Sequence, residues 1–180
     1  ADSAPTVSST SPTNGATGIA VDSDVSVTFS EAVNVTGAWY TINCGTSGSH
    51  TAAVSGGPTT FTLNPDTDFS AGEACTVTIV AAQVADQDAN DPPDNMAADY
   101  VFSFTTAAPP VVTFIHDIQG SGSAVTGAGP FTIEGIVTGD YQTQGSGQLR
   151  GFFIQEEDDD HDANLATSEA IFVFCSSCPT

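Results

Sequence analysis

The sequence predicts an all-β chain, and three observations carry that prediction. Short runs of alternating apolar and polar residues recur, Gly, Pro, Asn and Asp cluster between them, and no stretch sustains a helical period. Residues 1–106 divide into about seven such runs, the pattern of an antiparallel sandwich of two facing sheets.

Within that first domain, Thr13-Asn14-Gly15-Ala16 is turn chemistry. In the run at 25–29, Val25, Val27 and Phe29 share one face, with Ser26 and Thr28 opposite. In the run at 39–44, Tyr40, Ile42 and Cys44 fall together on one side. Runs at 50–54, 59–63, 75–80 and 100–105 continue the series, the last with a core-type stripe of Tyr100, Phe102 and Phe104. Trp39 and Tyr40 read as core and edge packing in preference to a sugar-stacking platform. Cys44 and Cys75 both keep the inward phase of their runs, so a bond between them is expected. It would close a loop of about thirty residues and stabilise the fold by on the order of 3 kcal/mol.

Residues 107–110, Ala107-Ala108-Pro109-Pro110, break the pattern and read as a short stiff linker. Residues 111–180 form a second β unit, with strands expected at 111–115, 131–141, 149–155 and 170–175. Gly120-Ser121-Gly122-Ser123 marks a loop, with neither the Lys nor the following helix of a phosphate-binding loop.

The most charged stretch lies between the last two of these strands. Glu156, Glu157, Asp158, Asp159, Asp160 and Asp162 put six carboxylates into seven residues, interrupted by His161. Asp158, Asp160, Asp162 and Asn164 alternate, and Glu169 stands where it closes a shell from the far side, so these five form a candidate Ca²⁺ loop. A solvated acidic hairpin tip is the other reading. Asp86, Asp88 and Asn90 repeat the spacing as a second, weaker candidate, against Asx turns stiffened by Pro92 and Pro93.

Composition bounds the partners. One cation, Arg150, faces 22 acids for a net charge of −21, a field that repels nucleic-acid backbones and anionic membranes. A hydrophobic fraction of 39% with eleven Phe argues for a folded chain, and no run has the length a bilayer span needs. Four cysteines in a chain without Lys point to an oxidising exterior. The polar opening Ala1-Asp2-Ser3, with no signal peptide, is that of a secreted chain after processing. Asn34-Val35-Thr36 matches the glycan acceptor triplet.

Reactive constellations are not found. Cys175-Ser176-Ser177-Cys178 has the spacing of a redox pair or half a zinc site, but no helix follows it, and His50, His116 and His161 are scattered. A small disulfide is the leading reading, with pairing to a downstream partner as the alternative. His116-Asp117 reads as a turn or strand-end pair. No nucleophile elbow, paired-histidine zinc helix or supported Ser/His/Asp set is present, and no catalysis is expected of the chain.

Two resemblances extend this reading. Ser11-Pro12-Thr13-Asn14-Gly15-Ala16-Thr17-Gly18, Val25-Ser26-Val27-Thr28-Phe29-Ser30-Glu31 and Tyr100-Val101-Phe102-Ser103-Phe104-Thr105-Thr106 resemble the bacterial Ig-like domains of S-layer and other secreted proteins. That resemblance implies a spacer or adhesive element. Ile115-His116-Asp117-Ile118-Gln119-Gly120-Ser121-Gly122, Thr132-Ile133-Glu134-Gly135-Ile136-Val137-Thr138-Gly139-Asp140 and Gly151-Phe152-Phe153-Ile154-Gln155-Glu156-Glu157 resemble the OB-fold-like module of large extracellular nucleases. It implies a parent that degrades extracellular DNA or RNA, but no catalytic domain is present, so no nuclease residue carries over. The module is also short of the five strands of an OB barrel. A partial barrel exposes strand edges, and its expected partners are downstream domains of a longer protein or other copies of the chain, the latter building a filament.

Overall fold

Alternation at period two decides which side chains of the first unit meet. A computed structural model describes residues 3–87, 94–122, 124, 129–142 and 149–175, and the chain divides into Ala1–Pro109 and Pro110–Thr180. The first unit contains β1 Val7–Ser11, β2 Ala16–Ile19, β3 Val25–Phe29, β4 Val33–Val35, β5 Tyr40–Cys44, β6 Gly48–His50, β7 Ala52–Gly56, β8 Thr60–Pro65, β9 Ala74–Ile79, β10 Val84–Asp86 and β11 Tyr100–Thr106. One sheet has the order β1-β3-β8-β7, the other β2-β11-β9-β5-β6, and β4 pairs with β10. Pairing is antiparallel except between β2 and β11. Val25, Val27 and Phe29 of β3 and Phe61 and Leu63 of β8 share one core with Ile42, Val77, Ile79, Phe102 and Phe104. Trp39, 4% exposed, lies 5.3 Å from the Phe61 ring and belongs to this core.

Two handovers between sheets explain where the strands break. At the first, the Asn14-Gly15 turn docks on β11: Asn14 Oδ1 accepts the Ser103 N–H at 3.0 Å, and the Gly15 N–H donates to the Ser103 carbonyl at 2.7 Å. Gly15 takes φ +79°, a conformation that Gly enters without steric cost. At the second, the run at 50–54, expected as one strand, is two. His50 is buried opposite Ile42 in β6, whereas Ala52 starts β7 in the other sheet, and Thr51 is the crossing residue. Tyr40 Oη fixes the crossing by accepting the Ala52 N–H and donating to the Ala52 carbonyl, both at 3.1 Å.

Cys44 and Cys75 sit directly opposite each other in the β5–β9 ladder and are bonded. Next to them lies Glu73, a buried acid that the sequence did not single out. Its Oε2 accepts the Thr46 and Ser47 N–H groups at 2.8 Å, and its Oε1 accepts Ser47 Oγ and the Ser70 N–H. Burial is the largest single influence and opposes the charge. The Ser47 hydroxyl and the three backbone donors together outweigh it and hold the Glu73 pKa down at about 2. Thr106 Oγ1 accepts the Glu73 N–H at 2.9 Å, so the acid also ties the end of β11 to the start of β9.

The second unit begins differently from expectation. Val112 makes only a single parallel bridge to Thr132, and Ile115 opens a helix, α1 Ile115–Gln119, where a strand was expected. Ile115 and Ile118, three residues apart, are both buried and so define one face of a helical turn. Gly120, at φ +62°, follows it. β12 Ile136–Asp140, β13 Gly151–Gln155 and β14 Ala170–Phe174 form an antiparallel sheet in that order. β12 starts later than position 131. Gly135 passes so close to the Gln155 carbonyl that a Cβ would collide with it, and regular pairing begins only beyond that point.

Two predictions follow from these anchors. Replacing both Cys44 and Cys75 by Ala is expected to cost about 3 kcal/mol in a chemical denaturation midpoint series. Glu73, with its folded pKa lowered from 4.5 to about 2, stabilises the sandwich fully above pH 4.5, and that contribution disappears as pH falls toward 2. Thermal melts of the parent and Glu73→Gln are therefore expected to differ at neutral pH and to converge across this window.

Candidate functional site

β13 enters the acidic stretch without leaving its own phase. Ile154 is buried, and Glu156, two residues on, points the same way and is 3% exposed. An inward carboxylate needs donors, and α1 supplies them. The helix has no side-chain cap of its own. Glu156 Oε1 accepts the Ile115 N–H and, at 3.2 Å, the His116 N–H, a remote carboxylate serving as the cap. Glu156 Oε2 lies 2.7 Å from His116 Nδ1, and Glu169 Oε2 lies 3.3 Å from the same nitrogen. His116 Nε2 is 3.9 Å from Asp117 Oδ1. The Phe114 ring stacks on the imidazole at 5.2 Å and 11°.

The hairpin that returns to β14 is held by its own short-range bonds. The Glu156 N–H donates to the Glu169 carbonyl at 2.9 Å, which prolongs the β13–β14 ladder. Asp162 Oδ1 accepts the Asn164 N–H at 2.8 Å and faces Thr167 Oγ1 at 2.9 Å. Asn164 Oδ1 accepts the Ala166 N–H at 3.1 Å. Gln119 Nε2 donates to the Ala170 carbonyl at 3.2 Å and links the end of α1 to β14.

The result is an imidazole among carboxylates. His116, Asp162 and Glu169 each offer one ligand atom, all within 4.8 Å of one another. The hydrogen bond to the Glu156 carboxylate raises the His116 pKa, against its burial. Burial opposes the Glu156 charge most strongly, but hydrogen bonds from Glu169, His116 and the head of α1 hold that acid ionised. Glu169 moves the other way: its contact with Glu156, then its burial, raise its pKa. At Asp162 burial is again the largest opposing influence, and the Asn164 and Thr167 donors overcome it and lower the pKa.

The residues expected from the sequence separate here. Asp162 and Glu169 join the cluster, whereas Asp158, Asp160 and Asn164 are exposed on the hairpin and do not belong to this group. Asp86 is buried at the end of β10, where its N–H donates to the Asp94 carbonyl at 2.8 Å, and Asp88 and Asn90 lie outside the described residues. Cys175 is disulfide-bonded, and Cys178 lies outside the described residues. His116 was read as a turn or strand-end residue. The signal that finds it is the phase of β13, because a carboxylate at an inward position requires a donor from another element.

A second polar group deserves comparison. Ser47 Oγ lies 2.7 Å from His50 Nε2 and bonds Glu73, so a serine, a histidine and an acid meet in the first unit. The acid bonds the serine and not the imidazole, whose Nδ1 faces Thr67. This is the wrong order for activating a nucleophile, and the group braces loops.

Residues 1–106 match the family model described as bacterial Ig-like domain. The chain belongs to the bacterial Ig-like domain family. The Ig-like chain also resembles solved structures at low identity. The N-terminal part of the bacterial S-layer protein SbsC is 19% identical with a TM-score of 0.41, over 64% of this chain and 27% of that one. CopC from Methylosinus trichosporium OB3b is 16% identical with a TM-score of 0.42, over 61% of this chain and 99% of that one. The chain thus spans about a quarter of the S-layer structure it matches. No curated protein matches its sequence.

Removing Glu156 tests the geometry. Glu156→Ala leaves the Ile115 and His116 N–H groups and the His116 ring without their acceptor, and is expected to destabilise the second unit by on the order of 3 kcal/mol. Urea unfolding followed by the amide signals of α1 measures it.

Proposed function

We propose that the chain is a non-catalytic module of an extracellular or cell-surface bacterial protein, in which the Ig-like unit acts as a spacer and the second unit as a cation-stabilised accessory module. The observation that carries this reading is the first unit itself. Its two sheets close over one core, a disulfide spans neighbouring strands, and its buried polar groups serve to hold loops. Membership of the bacterial Ig-like family and the disulfide, which persists in oxidising compartments, support an extracellular setting. No helix among the described residues is long and apolar enough to cross a membrane. The resemblance of the second unit to the OB-fold-like module of extracellular nucleases makes the upstream part of such an enzyme the leading parent. The acidic hairpin, read as a calcium loop from its spacing, is the cation-binding element of this proposal.

One observation favours a second reading, a self-assembling filament or surface-layer subunit joined by strand addition. β12 and β14 are the outer strands of the described sheet, and Ile136 and Val137 on β12 and Phe174 on β14 are exposed. Both readings meet two measurements. The chain is expected to hydrolyse neither DNA nor RNA with Mg²⁺, Mn²⁺ or Ca²⁺ present, and turnover that survives repurification would overturn both. Light scattering after size exclusion, with and without chelator, separates them: a monomer in both conditions excludes strand addition, and chelator-sensitive oligomers exclude the spacer as sole role.

A further inference from the structure

The alternate-oxygen spacing suggested an all-oxygen calcium loop, but the three-dimensional cluster has an imidazole at its centre. We propose that His116, Asp162 and Glu169 bind a first-row divalent cation of the zinc type, with Glu156 beside them as a third carboxylate. This deepens the reading of the second unit as cation-stabilised, on which it rests, by naming the ion class and its ligands.

Geometry comes first. Tetrahedral zinc with bonds of about 2.0–2.1 Å spaces its ligand atoms about 3.4 Å apart, and His116 Nδ1 stands 3.3 Å from Glu169 Oε2. Asp162 supplies an oxygen within the same 4.8 Å limit. Glu169 Oε2 is closed off from solvent and, with no hydrogen bond of its own, lies 3.3 Å from His116 Nδ1.

Ligand chemistry comes second. Imidazole nitrogen suits zinc and its neighbours, whereas Ca²⁺ takes six to eight oxygens. The exposed Asp158, Asp160 and Asn164, which an oxygen shell would have recruited, stand outside the group. The supports that orient metal ligands are also present. Asn164 N–H holds Asp162 Oδ1, Phe114 stacks on the His116 ring, and His116 Nε2 is turned toward Asp117 at 3.9 Å.

Charge comes third. Four carboxylates, those of Asp117, Glu156, Asp162 and Glu169, lie around one imidazole in a chain with a single Lys or Arg. A divalent cation supplies the positive charge that the sequence lacks.

The test uses the full chain stripped of metal, with zinc chloride titrated by calorimetry and calcium chloride in parallel. One zinc per chain is expected, with affinity falling about 10-fold or more in each of His116→Gln, Asp162→Asn and Glu169→Gln. Asp158→Asn and His161→Gln are expected to leave it unchanged. Histidine-ring NMR of the unaltered chain makes the test independent of how the variants fold: zinc is expected to shift the His116 ring signals and leave those of His50 in place. Zinc binding indifferent to His116→Gln, or no shift of the His116 ring at saturation, overturns the proposal. Calcium binding through Asp158 and Asp160 without zinc binding overturns it while leaving the cation-stabilised module standing. Binding of neither ion overturns both.

Discussion

With one Lys or Arg against 22 acids, a carboxylate that turns inward has almost no chance of meeting a basic side chain. The cost of taking such an ion out of water is several kcal/mol, so it must be met by hydrogen-bond donors that carry no full charge. Glu73 and Glu156 solve the problem alike. Glu73 gathers backbone N–H groups of Thr46, Ser47 and Ser70 with the Ser47 hydroxyl. Glu156 takes the free N–H groups at the head of α1 and the ring of His116. A hydrogen bond to a charged group contributes about 1.5–3 kcal/mol, so three or four of them offset the desolvation. Each acid thereby joins segments distant in sequence, which makes a costly group into an organising one.

The sandwich was legible because its information is local. Alternation in β3, β5, β9 and β11 names the inward residues directly, and Cys44 and Cys75 follow from the same phase. What escaped was of two kinds. Short outer strands such as β1, β2, β4 and β10 are Ser- and Thr-rich or only a few residues long, so their pairing is set by the neighbour and not by pattern. The break at Thr51 escaped because a crossing between sheets leaves alternation intact on either side. Only the identity of the partner strand changes there.

In the second unit the balance reverses. Asp162 was visible from the alternation of oxygens and Glu169 from its place across the hairpin, yet their partner His116 lies about forty residues from the hairpin and reaches it only because α1 forms. A five-residue helix is too short to show a period. Its single clue, Ile115 and Ile118 three apart, is equally consistent with a ragged strand. The most densely charged positions, Asp158 to Asp160, are exposed on the hairpin. Glu156 looked like the first of a run, although it continues the inward phase of β13 one residue past the end of the strand.

The same charge accounting bears on what the second unit can do. The outer strands of its described sheet carry exposed apolar side chains, Ile136, Val137 and Phe174, an arrangement that ordinarily invites pairing. Two copies of a chain carrying −21 repel one another over a Debye length of about 8 Å at physiological salt, and at strand-pairing distance that screening is incomplete. Glu156 follows β13 and Glu169 precedes β14, so both carboxylates stand at one end of this sheet. On the proposal made above, a divalent cation there would lower the local repulsion and hold the hairpin against α1, so that metal binding and strand addition would be coupled.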